Sequence, residues 1–170
     1  MVTKLKIRWW IYGLIAFAVV IALSIPLQIY TEFGIGDHQE AASAAQVNQI
    51  QSAWAAGGVF GLGLVSMLAD LIFIGIYSAG ALMAGRSMVD VGSSFVRLLG
   101  FVACICAVIF CIADYTETIL QVVQMVQNAG SDALADIAST ARPIKMASFI
   151  ISFFAVLAGV ILHRLGKRNA

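Results

Sequence analysis

Four long apolar stretches constrain the fold of this chain more than any other feature of its sequence. They cover residues 9–30, 54–84, 95–127 and 144–162. A helix of about 20 apolar residues is long enough to cross the hydrocarbon core of a bilayer. Because backbone polar groups in lipid must be hydrogen-bonded within the span, such stretches form helices. The sequence therefore predicts an all-α membrane protein, a four-transmembrane-helix bundle with helices at about 9–30, 38–84, 94–128 and 143–163.

The composition agrees with this class of protein. Apolar residues make up 61% of the chain and charged residues 11%, with a mean hydropathy of +0.96, whereas soluble domains carry about 25% charged residues. The 170 residues leave no room for a separate soluble domain, so residues 1–170 are expected to form a single domain. A net charge of +1 provides no basic surface for phosphates, which argues against a nucleic-acid partner.

The basic residues predict the topology. Most of them lie at the two ends of the chain or beside the connection between the second and third stretches: Lys4, Lys6, Arg8, Arg86, Arg97, Arg164, Lys167 and Arg168. Because cytoplasmic segments are enriched in Lys and Arg, both termini are expected in the cytoplasm, an N-in and C-in orientation. The first stretch lacks a small-residue cleavage site and is expected to be a retained helix. The compact four-span plan suggests the inner membrane of a bacterium.

The connections on the other side carry helix signals. Asp37 and Glu40 have the spacing of a capping box, which would start a helix near His38. The following residues 41–56 contain no helix breaker, so the second helix is expected to extend beyond the membrane on its outer side. Pro143 is expected to open the fourth helix. These outer helical extensions are the expected surfaces for a partner.

Three carboxylates, Asp70, Asp114 and Glu117, lie inside the apolar stretches. A charged group at this depth costs at least about 2.5 kcal/mol, so these side chains are expected to face the bundle interior and to mark a site. Residues three and four apart share a helix face, which groups the carboxylates with further polar side chains around one cavity. The predicted ligand- or ion-binding residues are Asp70, Asp114, Glu117, Tyr77, Gln121, Thr118 and Ser66.

The depth of each carboxylate follows from counting residues along the helices. Asp70 and Asp114 are expected at nearly the same level, with Glu117 about one turn further out. Three carboxylates cannot all stay ionised there unless a cation accompanies them, so protons or a cation are expected. Lys145 either reaches inward towards Glu117 or extends outward to the membrane surface.

No cofactor motif accompanies the carboxylates. His38 and His163 are expected on opposite sides of the membrane, which excludes a haem held by two histidines. The cysteines at 104, 106 and 111 form no CxxC pair and are expected to be small buried side chains. No cofactor or metal is predicted, which leaves a bound lipid, a proton or a cation as the alternatives for the interior.

Three functions are compatible with these features. The first is a binding or accessory subunit that docks on a larger membrane complex or on itself, for which Gly57 and Gly61 offer a GxxxG contact. The alternative is a component of a proton- or cation-coupled transporter or channel that uses the carboxylates. The third is an intramembrane enzyme on a lipid or isoprenoid, with Asp114 and Glu117 as acid and base. The absence of catalytic motifs favours the first function, with membrane lipids and other membrane subunits as partners.

Overall fold

Helices form every regular element of the described chain. The computed structural model describes residues 5–168, so Lys4 lies outside the described residues, as do the side chains of Lys167 and Arg168. The helices are α1 (Arg8–Tyr30), α2 (Ile35–Glu40), α3 (Ala44–Ala56), α4 (Phe60–Val91), α5 (Ser94–Gln127) and α6 (Asp132–Arg168). Four of them, α1, α4, α5 and α6, are long and apolar enough to cross a membrane. The structure thus agrees with the predicted all-α class and fits a helical bundle.

The long helices pack as antiparallel neighbours in the order α1, α4, α5, α6. Glycines allow the closest approaches: a Cβ atom on Gly80 of α4 would lie 2.6 Å from the Cα of Trp10 in α1. At the contact between α4 and α5, a Cβ atom on Gly85 would lie 2.7 Å from the carbonyl oxygen of Gly100. Backbones this close leave no room for larger residues, so the two glycines set the spacing of these helix pairs.

Aromatic side chains connect α1 to α6 and complete the bundle. The ring centroids of Trp10 and Phe153 lie 5.6 Å apart, and those of Phe17 and Phe149 lie 5.2 Å apart. Such distances are typical of favourable aromatic pairs. Both contacts join α1 to α6, the first and last helices in this order.

Two apolar clusters fill the interior, and a polar layer separates them. The cluster nearer the termini is built around Phe73, Tyr77 and Phe110. The second cluster includes Trp54, Met67 and Met125 and lies where α2 and α3 pack against the long helices. The layer between the clusters contains buried charged side chains from three helices: Asp70, Asp114, Glu117 and Lys145.

The predicted helix over 38–84 is wrong, because the chain forms three helices there instead of one. Gly58 has a positive φ of 70°, a conformation that favours glycine and ends α3 before α4 begins. The predicted capping box is also displaced: Asp37 is not the N-cap but the third residue of α2, where its Oδ2 accepts the N–H of Gly34 at 2.7 Å. We call α2 and α3, residues 35–56, the cap, because they cover one end of the long helices.

The fourth predicted helix begins 11 residues too late, since α6 starts at Asp132 and continues through Pro143. Proline normally breaks a helix because it lacks an N–H and its ring clashes with the preceding turn. Here the segment before the proline is held by tertiary contacts: Ala135 and Ala138 are buried, and Arg142 Nη1 donates to the carbonyl of Gly36 at 3.0 Å. Packing against the cap therefore outweighs the local preference.

Candidate functional site

The polar layer contains a buried ion network centred on Lys145. Its Nζ lies 2.9 Å from Asp114 Oδ1 and 2.9 Å from Glu117 Oε1. The two carboxylates are three residues apart on α5 and therefore share a face, and α6 runs antiparallel along that face. All three side chains are buried. Of the two orientations that the sequence allows for Lys145, the structure adopts the inward one.

Asp70 joins this network from α4 through the hydroxyl of Thr118. Thr118 Oγ1 lies 3.1 Å from Asp70 Oδ2 and 3.4 Å from Asp114 Oδ1. The Thr118 hydroxyl, which has one proton to donate, thus lies between the two carboxylates. The structure therefore brings Asp70 and Asp114 to one level, as the residue count predicts, but gives only Asp114 an ammonium partner.

A cavity of about 190 Å³ reaches this layer from the side of the bundle. Its floor and walls are mostly apolar, and the polar side chains that line it are Ser24, Gln39, Ser66, Asp70, Asp114 and Lys145. Ile21 of α1 and Met146 of α6 also line it, although 45% and 47% of their surfaces are exposed. The cavity thus opens between α1 and α6, on the apolar flank of the bundle.

Ser66 is an unusual member of the cavity lining. Its residue is 1% exposed, and its Oγ has no hydrogen-bond partner among the described residues. Ser66 lies four residues before Asp70 on α4, so the two side chains are adjacent on one helix face. Because buried polar atoms are nearly always hydrogen-bonded, this hydroxyl is available to a molecule in the cavity.

The cap covers the polar layer and is tied to the long helices. His38 of α2 is fully buried, with its ring stacked 5.1 Å from that of Trp54. Its Nε2 lies 3.3 Å from Gln51 Nε2, and Gln121 Nε2 of α5 donates to its carbonyl at 3.5 Å. Burial lowers the pKa of His38 from 6.5 to about 4, since desolvation disfavours the charged ring.

The predicted site residues divide into two groups. Ser66, Asp70 and Asp114 line the cavity, and Thr118 and Glu117 lie behind them in the ion network. Gln121 lies one turn from Glu117 and connects to the cap instead of the cavity. Tyr77 lies two turns from Asp70, within the aromatic core, where its hydroxyl donates to the carbonyl of Phe149 at 3.4 Å.

The sequence does not predict every part of the site. Four phenylalanines, one from each long helix, line the cavity below Asp70: Phe17, Phe73, Phe110 and Phe149. Their helical spacing is also that of ordinary core residues, so the sequence alone gives no reason to assign them to a site. The sequence leaves two orientations open for Lys145, and its contacts with Asp114 and Glu117 show the inward one.

The network contains one ammonium group for three carboxylates, so it carries a net charge of −2 if all are ionised, and Asp70 has no positive partner. Such a site favours binding a proton or a cation. In the described part of the chain, no group of three or more His, Cys, Asp or Glu side chains is arranged to hold a metal ion. The three cysteines of α5 are not in disulfides and are half-buried.

Comparison of the chain with protein-family models, with curated proteins and with solved structures gave no match.

Proposed function

We propose that this protein is a small membrane-embedded binding protein that holds a membrane-soluble molecule in the cavity between α1 and α6. The observation that carries the proposal is one cavity that is lined both by the exposed side chains of Ile21 and Met146 and by the buried Asp70, Asp114 and Lys145. Ligand sites in proteins are typically concave and mostly apolar, with a few polar groups that orient the ligand. The cavity has each of these properties.

The ion network supports binding more than the two alternative functions. Lys145 already supplies positive charge to Asp114 and Glu117, so an inorganic cation is not required to hold these two together. Glu117 does not line the cavity, and an acid–base pair made of Asp114 and Glu117 would not face a bound substrate. Transport and intramembrane catalysis by these carboxylates stay predictions from the sequence.

The proposal includes the expected setting of the protein. Four candidate spans would put both chain ends on one side, and the positive-inside rule favours the cytoplasm for that side. We propose the inner membrane of a bacterium as the setting. The cap would then lie on the outer surface. Gly57 ends α3 and packs against Thr31, so it does not share a helix face with Gly61 and the predicted GxxxG contact is wrong. Gly61 has no described atom within 4 Å of its Cβ position, which leaves this part of α4 open to another membrane subunit or a second copy.

The test is to close the mouth of the cavity. Ser24 lines it from α1, whereas its neighbour Ile25 is 50% exposed and does not line it. Native mass spectrometry of gently extracted wild type, Ser24→Trp and Ile25→Trp proteins would show which molecules remain bound. We expect a small molecule on the wild type and on Ile25→Trp that is lost from Ser24→Trp. The same bound molecules on all three proteins would contradict the proposal.

A further inference from the structure

The charges and the wall of the cavity identify the chemical class of its occupant. We infer that it is a lipophilic amine in its protonated form, with the ammonium group at Asp70 and the hydrocarbon part directed through the mouth between α1 and α6. The inference rests on the proposed function and deepens it.

Asp70 is the carboxylate of the network that lacks a cation. Lys145 makes both of its ion pairs with α5, to Asp114 and Glu117. Within residues 5–166, no ion pair includes Asp70, whose partner is the neutral hydroxyl of Thr118. A buried carboxylate without a cation is costly, and an ammonium group in the cavity would remove that cost.

The aromatic wall suits an organic cation. Neighbouring ring centroids in the series Phe17, Phe73, Phe110 and Phe149 are 5.2, 5.9, 5.4 and 5.2 Å apart, and those of Phe73 and Phe149 are 6.3 Å apart, so the four rings pack on one another as one aromatic wall. Aromatic faces attract cations within about 6 Å of the ring centroid, most strongly in a desolvated site. Benzene rings supply no oxygen ligands, so they cannot replace the hydration shell of a small metal ion.

Ser66 adds a hydrogen-bond acceptor next to Asp70. Its buried Oγ has no partner among the described residues and lines the same cavity. An ammonium group with at least two N–H bonds can donate to Asp70 and to Ser66 together, which a quaternary ammonium cannot do. The pair therefore favours an amine that retains its protons.

The size of the cavity sets how much of the ligand is enclosed. Its volume of about 190 Å³ is smaller than the roughly 300–1,000 Å³ of pockets that enclose a drug-sized ligand. The head group and the first part of the chain fit inside. The remainder would pass Ile21 and Met146 into the lipid.

A titration with three probes of equal chain length tests the inference. Dodecylamine is cationic at neutral pH, dodecanol is neutral and dodecanoate is anionic. Binding of each to the full chain in lipid nanodiscs is measured by native mass spectrometry. We expect a single dodecylamine site that is tighter than the dodecanol site by about tenfold or more, as for a hydrogen bond to a charged group.

Variants locate the site. Asp70→Asn should abolish the preference for the amine, whereas Asp136→Asn should keep it, because Asp136 is exposed on α6 outside the cavity. Ser66→Ala should weaken dodecylamine binding by several-fold with the Asp70 carboxylate intact. This second variant decides the question if Asp70→Asn does not fold.

The outcomes separate this inference from the proposed function. If dodecanol binds as tightly as dodecylamine and Ser24→Trp blocks both, the cavity binds lipophilic molecules but the ammonium inference is wrong. Preference for dodecanoate overturns it as well, and would make Lys145 the recognition group. If no probe binds and Ser24→Trp keeps the same native molecules as the wild type, both proposals are wrong.

Discussion

At the scale of single residues, Lys145 makes the polar layer compatible with an apolar interior. Its ammonium lies 2.9 Å from one oxygen of each of two buried carboxylates, Asp114 and Glu117. Removing one member of a buried ion pair leaves the other charge uncompensated, which costs more than replacing the whole network with neutral groups. The stability of this layer should therefore depend on its balance of charge more than on the number of its contacts.

The first prediction follows from that balance. Lys145→Met should lower the free energy of unfolding by about 3 kcal/mol, because Asp114 and Glu117 lose their common cation. The measurement is the midpoint of thermal unfolding in detergent. Combining Lys145→Met with Asp114→Asn and Glu117→Gln removes the charges together and should restore most of the loss. A single variant as stable as the wild type would show that Lys145 does not hold the carboxylates.

The second prediction concerns His38, whose pKa is lowered by burial to about 4. In the unfolded chain the pKa is near 6.5, so between these values the unfolded state binds more protons than the folded state. Stability is therefore complete above about pH 6.5 and is lost as the pH falls towards 4, by up to about 3 kcal/mol. Thermal unfolding of the wild type between pH 7 and 4 measures this loss.

His38→Phe is the matched control for that titration. It keeps an aromatic ring against Trp54 but removes the titrating group and the contact with Gln51. The lost contact lowers stability equally at every pH, so only the slope is informative. We expect a shallower decline below pH 6.5 in the variant. Parallel curves for the two proteins would show that His38 is not buried as a neutral ring.

At the scale of helices, the third prediction uses two glycines of α4. A Cβ atom on Gly80 would lie 2.6 Å from the backbone of Trp10, whereas the Cβ position of Gly61 has no described atom within 4 Å. Gly80→Ala should therefore separate α1 from α4 and destabilise the protein by roughly 1–3 kcal/mol. Gly61→Ala, the control in the same helix, should be neutral or stabilising by up to about 1 kcal/mol. Thermal unfolding compares the two, and equal midpoints would contradict the proposed packing.

The helices that the sequence predicts well are those with uninterrupted apolar stretches. α1 and α5 lie within one residue of their predicted bounds, since membrane-length hydrophobicity dominates every local signal there. The errors occur where two local rules compete. Pro143 would end a helix in isolation, but contacts between α6 and the cap carry the helix through it. The break at Gly57 and Gly58 has a local signal, since paired glycines are typical of turns, but the apolar residues on both sides favoured one continuous helix in the prediction.

The site could be predicted only in part, for a related reason. Buried carboxylates are so unusual in an apolar stretch that composition alone marks Asp70, Asp114 and Glu117. The phenylalanine wall has no such signal, because aromatic residues at helical spacing are typical of any core. Tyr77 shares a face with Asp70 but lies two turns away. The helical period predicts which face of the helix a residue occupies, but not which residues from other helices surround it.

At the scale of the whole molecule, the polar layer divides the interior at the level where the side opening lies. The aromatic cluster below it connects α1 and α6, and the cap above it holds α5 and α6. The cavity lies between these two regions, with residues of α1 and α6 in its lining. A molecule dissolved in the membrane would therefore reach the carboxylates without crossing either end of the bundle.

The fourth prediction tests the orientation of this arrangement. Gln49 is exposed on the cap and Ser93 is exposed in the connection between α4 and α5, so they lie at opposite ends of the bundle. In a background with Cys104, Cys106 and Cys111 replaced by alanine, each is changed separately to cysteine. A membrane-impermeant maleimide should label Gln49→Cys in intact spheroplasts, and Ser93→Cys only after permeabilisation, because the basic residues near Ser93 favour the cytoplasm.

The reverse labelling pattern would mean that the topology is inverted and that the cap lies in the cytoplasm. Labelling of both positions from one side would contradict four membrane spans, since α4 is the single span between the cap and the α4–α5 connection and must separate them if it crosses the membrane.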